Sequence, residues 1–306
     1  VSPLSQILAA TDLSAPSRHA VDRGFRIAAE VQAAYTVLHA IELDLLDSLL
    51  EVLGDTSPGI KQRLENDARA TLEHLLADPA RNLGQAARPL IVSGGPLETI
   101  TAHAQSSAAD LLILGARGEG FLRHALLGST ASRLLRKAGS CPVLVVKQQP
   151  HEAYRRLLIP VDFSPASAEA IAFGRMLAPT AEIVLLHAFE LPFESRLVYA
   201  RVDQDFIDDQ IRLANHQLRQ RAYRLAEAAG LRSIDYSVLI IHGDPSQQII
   251  AQEQEQNCDL IVMGKHGKHL AEALLLGSVT KHVLAESQCD VLVIPERDSG
   301  LAAAPA

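Results

Sequence analysis

Short apolar runs alternate with amphipathic stretches along nearly the whole chain. In the first half the runs fall near 6–11, 34–40, 88–93, 110–115 and 142–147, rich in Val, Ile and Leu with little polar alternation. Strands covered by helices on both faces read this way, so these runs predict buried parallel strands. Helix signals lie between them: Ser14 and Ser164 precede Pro16 and Pro165, Pro96 and Pro245 open later helices, and Gly128-Ser129 and Gly277-Ser278 open the last in each half. Strand and helix in alternation predict an α/β fold. The stretch "HQLRQRAYRLAEAAG" has apolar residues at helical spacing and predicts a core-packing helix, not a basic binding face. The segments 41–57 and 190–205 are longer than an ordinary strand-to-helix connection and predict lids or extra helical turns.

The two halves are copies of each other. "ILAATDLSAPSRHAV" matches "LLIPVDFSPASAEAI", "TVLHA" matches "VLLHA", "DLLILGARG" matches "DLIVMGKHG" and "CPVLVVK" matches "CDVLVIP", all at a near-constant offset. So long a period is a domain duplication, not a solenoid. The expected domains are 1–147 and 154–295, with a linker at 148–153 and a disordered tail at 296–306.

Composition narrows the partners. Hydrophobic residues make up 48% and charged residues 21%, and no apolar run approaches the roughly 20 residues that span a bilayer, so no membrane association is expected. A formal net charge of -8 argues against nucleic acid, which wants a basic face. Cys141, Cys258 and Cys289 form neither a CxxC pair nor a disulfide framework, and the start "VSPLSQILAATDLS" lacks a basic segment and a long apolar one. A cytoplasmic protein is expected.

The chemistry gathers in two stretches, "GARGEGFLRHALLGST" from Gly115 and "GKHGKHLAEALLLGSV" from Gly264. In each, one glycine ends a strand, a second follows three residues later, and a third precedes a helix that begins with serine. Glycines admit backbone close to an anion, and the free N–H groups of a helix start attract negative charge. A surface loop ahead of a helix cap gives one such set more often. The same spacing twice, each time after a strand led by Asp, favours anion binding. Asp12 and Asp162 close the first strand of each copy, and in a doubly wound sheet they share a crevice with Gly115 and Gly264. There a carboxylate either accepts a hydrogen bond from a ligand or forms the turn before the Ser-Pro helix start. His39 and His187 end the second strands without other ligands at metal spacing, so no metal is expected and both read as core or rim histidines. Arg117, Lys265 and His266 are either extra phosphate contacts or solvated loop charges. No nucleophile-and-base motif and no complete phosphate loop of the nucleotide-hydrolase type is present, so no catalytic residue is assigned.

At these residues the chain resembles the universal stress protein family, whose motif is G-x2-G-x9-G-S/T after a fourth strand, with an Asp closing the first. The resemblance covers both copies. It implies two tandem five-stranded parallel sheets of order 3-2-1-4-5 with helices on both faces, binding ATP or a related adenine nucleotide, with or without Mg, in a regulatory stress-response role. Carried over, Asp12 and the backbone near Ala40 and Leu114 face the adenine, while Gly115, Gly118, Gly128, Ser129 and Thr130 hold ribose and phosphates. The second set is Asp162, Ala188, Met263, Gly264, Gly267, Gly277, Ser278 and Val279, with Thr280 as an additional hydroxyl that Ala131 lacks. Thr280 and Lys265 together make the second copy the expected tighter site. Family members commonly pair through their fifth strands, implying an intramolecular pseudo-dimer here and another surface for any homodimer. Asp290, where the first copy has Pro142, is expected to affect a sheet edge more than a pocket. Three further readings stand beside regulation by nucleotide. One is slow ATP hydrolysis. Another is a module for an apolar small ligand with degenerate phosphate loops. The last is a nucleotidyl-transfer relative, for which "TDLSAPS" is not the phosphate loop required.

Overall fold

The computed structural model describes residues 3–42, 59–118, 127–137, 141–192, 200, 202–267 and 276–295. The first copy runs β1 (Gln6–Ala10), α1 (Ala15–Val31), β2 (Ala34–Ile41), α2 (Ile60–Ala77), α3 (Pro79–Asn82), β3 (Ala87–Ser93), α4 (Pro96–Ser106), β4 (Leu111–Gly115), α5 (Ser129–Lys137) and β5 (Val143–Val146). The second runs β6 (Arg156–Pro160), α6 (Pro165–Leu177), β7 (Glu182–Phe189), α7 (Gln204–Ala228), β8 (Tyr236–His242), α8 (Pro245–Glu255), β9 (Leu260–Gly264), α9 (Ser278–Glu286) and β10 (Asp290–Ile294). The helix starts follow from the signals in the sequence: prolines occupy the first turns of α1, α4, α6 and α8, and the Ser14 hydroxyl caps α1 by accepting from the Ser17 N–H. The stretch "HQLRQRAYRLAEAAG" lies largely in α7, which buries Ile207, Ala222 and Ala226 and leaves most of its polar residues at the surface. No helix among the described residues is long and apolar enough to cross a membrane. Of the two long connections, residues 43–58, 193–199 and 201 lie outside the described residues, as does the tail 296–306; Gln204 already opens α7.

The ten strands form one sheet in the order β3-β2-β1-β4-β5-β10-β9-β6-β7-β8. Each half keeps the order 3-2-1-4-5 with parallel neighbours, and the halves meet where β5 pairs antiparallel with β10, Leu144 opposite Leu292. Every residue of β5 and β10 is buried, and strands this apolar, left at an edge, would invite aggregation. One hydrophobic layer lies on each face of the sheet, and both cross the seam: Leu144 and Leu292 share one with Phe25 and Leu157, Val145 and Val291 the other with Leu134 and Ile261.

The seam is also polar at one point, which corrects the expectation for Asp290. β10 is not an edge, and Asp290 is only 2% exposed. Its Oδ2 lies 3.2 Å from Arg23 Nε of α1 and accepts the Tyr154 hydroxyl at 2.6 Å, while Oδ1 accepts the Lys147 N–H at 2.8 Å. The Arg23 guanidinium stacks 3.9 Å over the Tyr154 ring. Burial pushes the Asp290 carboxyl up, and Arg23 opposes that shift.

Two lysines cross the seam to the C-terminal ends of helices, where cations are favoured. Lys147 Nζ donates to the Leu284 carbonyl at 2.9 Å and the Ser287 carbonyl at 2.6 Å, and Lys265 Nζ donates to the Arg136 carbonyl at 3.0 Å. Burial lowers the Lys147 ammonium to about 8, against the attraction of Cys289, Glu253 and Asp290. Above that value the folded chain releases a proton that the unfolded chain keeps up to the ordinary lysine value of 10.5. The contribution of Lys147 to stability is therefore expected to rise across this interval, by at most about 1.4 kcal/mol per pH unit, against the opposite trend set by the buried thiols of Cys141 and Cys258. Urea denaturation at pH 8, 9 and 10 should show the stability difference between the wild-type chain and Lys147→Met shifting in favour of the wild type as pH rises.

Candidate functional site: two crevices at the strand-order reversals

The order of each half reverses between its first and fourth strands. The helices that follow β1 and β4 pack into opposite hydrophobic layers, Phe25 of α1 in one and Leu134 of α5 in the other, so a crevice opens beyond the strand ends. The crevice of the first copy has a volume of about 370 Å³ and that of the second about 440 Å³. Both fall in the range of small-molecule sites.

The residues that the family resemblance carries over as nucleotide contacts come together at these two places. Asp12, Ala40, Leu114 and Gly115 line the first crevice from the strand ends, and Gly118, Gly128, Ser129 and Thr130 line it from the loop and the start of α5. In the second, Asp162, Ala188, Met263 and Gly264 meet Gly267, Gly277, Ser278, Val279 and Thr280. Residues 119–126 and 268–275, between the second and third glycines, lie outside the described residues.

The two roles considered for the Asp are divided between its oxygens. Asp12 Oδ1 accepts from the Ser14 N–H at 3.0 Å and the Ser14 hydroxyl at 2.5 Å, an Asx turn that starts α1. Oδ2 faces the glycine loop: a Cβ built on Gly118 would lie 2.4 Å from it, and one on Gly267 3.2 Å from Asp162 Oδ2. Gly118 thus leaves no room for a side chain unless the carboxylate moves, and Gly267 is tight against its own, whatever the ligand. The residue after each Asp is left-handed, Leu13 at φ 64° and Phe163 at φ 63°, a conformation that costs a bulky side chain free energy and is held here by the turn.

The histidines are rim residues that tie adjacent strand ends together. His39 Nδ1 lies 2.8 Å from the Thr11 carbonyl and His187 Nδ1 2.6 Å from the Val161 carbonyl, so in each ring Nδ1 carries the proton and donates it. No group of three or more His, Cys, Asp or Glu among the described residues is arranged to hold a metal ion. The cysteines are poor nucleophiles, since burial pushes the Cys141 and Cys258 thiols up to about 12. At the far end of the second crevice Gly277 caps α9 without a side-chain oxygen. The helix-start amides and the Ser278 hydroxyl remain there as groups suited to an anion.

Two groups that favoured the second copy are directed elsewhere. Thr280 Oγ1 donates to the Gly264 carbonyl at 3.1 Å, tying α9 to the end of β9, and the Lys265 ammonium is 129 residues away in sequence from its acceptor, the Arg136 carbonyl across the seam. The sequence reading also passed over Thr11, Ser17, Val161 and Ser167, which line the crevices beside the Asp. The repeated "DLSAPS" and "DFSPAS" contain Ser17 and Ser167, which locally read as part of a helix start.

With the geometry in place, the comparisons with known proteins are decisive on kinship. The model of the universal stress protein family matches residues 4–147 and 153–295. The chain belongs to the universal stress protein family. A universal stress protein of Mycobacterium tuberculosis is 30% identical over 201 residues, spanning 61% of this chain and 62% of that protein. Another from the same species is 27% identical over 276 residues, 85% of this chain and 86% of its own. Among solved structures, a universal stress protein from Archaeoglobus fulgidus superposes with a TM-score of 0.60 at 20% identity, covering 95% of this chain and 98% of that one, which supports the shared fold.

In this universal stress protein the Thr280 hydroxyl acts as a strut. Thr280→Val should therefore cost about 1 kcal/mol of stability, the worth of one hydrogen bond. Thermal melts of the variant check this.

Proposed function

We propose that this universal stress protein binds ATP or a related adenine nucleotide in its crevices and acts as a cytoplasmic regulator whose conformation or partner follows the bound nucleotide. One observation carries the reading: in both copies a carboxylate oxygen, a glycine loop and a helix start preceded by glycine converge on one crevice at a strand-order reversal. Asp12 Oδ2 is an acceptor suited to a base amine or a sugar hydroxyl. Leu114 and Ile100, or Met263 and Ile249, supply apolar surface for a planar ring. The Gly128 and Gly277 N–H groups donate to the Ala116 and Lys265 carbonyls, so the donors suited to phosphate are the Ser129 and Ser278 hydroxyls and the N–H groups of the helix starts that follow. A magnesium ion would be carried on the phosphates, as is usual for that ion, and not in a protein cage.

The same arrangement supports binding over turnover. It supplies hydrogen-bond donors for phosphate, but the Asp beside it is committed through Oδ1 to the turn, and among the described residues we identify no base placed to activate water. Hydrolysis is thus expected well below ordinary enzyme rates of about 1 per second and upward. The alternative of an apolar ligand draws on the second crevice, where Val161 and Val279 replace Thr11 and Thr130.

Gly118→Asp combined with Gly267→Asp places new side chains and negative charges against Asp12 and Asp162 and should abolish ATP binding in a folded chain. Titration calorimetry, with circular dichroism as the folding control, checks this. Unchanged ATP affinity in the folded double variant would sink the proposal.

A further inference from the structure

α5 and α9 each begin in one crevice and end beside the strand ends of the other. Each has nine residues, about two and a half turns. A helix this short is marginal on its own and depends on what holds its two ends. The first residues, Ser129 and Ser278, line the first and the second crevice. The last turns are held by lysines of the opposite half. Lys265 Nζ donates to the Arg136 carbonyl of α5, and Lys147 Nζ donates to the Leu284 and Ser287 carbonyls and, at 2.7 Å, to the Ser287 hydroxyl at the end of α9.

Both lysines belong to the strand ends on which the crevices are built. The Lys265 N–H donates to the Ile294 carbonyl at 2.7 Å, and the Lys265 carbonyl accepts the Gly277 N–H at 3.1 Å, directly ahead of α9. In the first copy Ala116 makes the same two bonds, its N–H donating to the Val146 carbonyl at 2.8 Å and its carbonyl accepting the Gly128 N–H at 2.8 Å. Lys147 follows Val146 directly. A line of bonded groups therefore runs from the start of each helix, through one strand end, to the far end of the other helix. The two lysines are not a repeated pair: Ala116 stands where the second copy has Lys265, and Pro295 stands where the first has Lys147. Duplication alone does not account for a link in both directions.

An anion at a helix start and a cation at its end both favour the formed helix, because the two ends of its dipole are stabilised together. Ligand at Ser129 thus strengthens the hold of Lys265 on α5, and Lys265 so held fixes Gly277 and the start of α9 in the other crevice. The reverse route runs from Ser278 along α9 to Lys147 and, through Val146 and Ala116, to Gly128. Both ligands favour the same arrangement, so each helps the other, and linkage makes the effect equal in both directions.

Resting on the nucleotide reading above, we propose that the two crevices are coupled: nucleotide in one raises the affinity of the other, through α5 with Lys265 and α9 with Lys147. Neither lysine is among the residues lining the crevices, and both act as positioning residues.

Titration calorimetry with ATP measures the coupling. The product of the two association constants of the wild-type chain is divided by the constants of Gly267→Asp, with only the first crevice open, and Gly118→Asp, with only the second. This factor should be about fivefold or more, the lower end of ordinary coupling between sites. In the same three chains carrying Lys147→Met and Lys265→Met it should fall to about one. A merely structural role for the lysines would lower the individual constants and leave the factor unchanged, and that result would overturn the proposal. Should the paired lysine variant unfold, Lys265→Met alone should reduce the factor, and no reduction would count against the route in the same way. Should a glycine variant unfold, an amide NMR titration of the wild-type chain, followed separately at Gly118 and Gly267, gives the factor from the departure of each crevice from simple saturation. One bound ATP, or two bound independently, would overturn the coupling alone. Failure of the wild-type chain to bind ATP would overturn the nucleotide reading and the coupling with it.

Discussion

The antiparallel pairing of β5 with β10 is the contact on which the rest of the molecule hangs. Two strands buried along their whole length would otherwise be adhesive edges, and joined they merge two five-stranded sheets into one with a continuous hydrophobic layer on each face. Because the pairing is antiparallel, strands of the two halves run in opposite directions, and the crevices open at opposite ends of the sheet. α5 therefore starts in the first crevice, at Ser129, and ends where Lys265, next to Gly264 of the second, donates to Arg136. α9 starts at Ser278 in the second crevice, and its end is held by Lys147, directly after β5.

A buried ion pair at such a seam costs desolvation that Coulomb attraction alone rarely repays. Here the carboxylate of Asp290 has a guanidinium, a phenol and two backbone N–H groups around it, so its lone pairs are occupied. The apolar strands supply adhesion and the Arg23–Asp290–Tyr154 group supplies register. β5 sliding past β10 by one residue would keep much of the apolar contact but leave a buried charge without partners.

Much of this was legible along the chain. The duplication, the buried strands and the helix starts are local patterns, and Asp12, Gly118 and Gly128 stood out because their spacing recurs at Asp162, Gly267 and Gly277. The strand order came from family resemblance, since periodicity says nothing of which strands neighbour one another. What escaped were groups whose partners are distant in sequence. Lys265 sits beside Gly264, and nothing local shows that its ammonium leaves the loop for the other half. Thr280 reads as a ligand hydroxyl, and only the fold shows its bond to the Gly264 carbonyl, while Asp290 reads as an edge substitution until the seam is built around it. Repeats reveal what two copies share, and here the departures lie in contacts between copies or in one exchange, Thr11 for Val161, that redirects a neighbouring serine.

The central claim is that the crevices are made for adenine nucleotides, and it is tested most directly by asking what the protein carries. Freshly isolated protein, denatured and analysed by mass spectrometry, should release adenine nucleotide, and added ATP should displace it from the native chain. Recovery of a phosphate-free apolar molecule that added ATP does not displace would contradict the account.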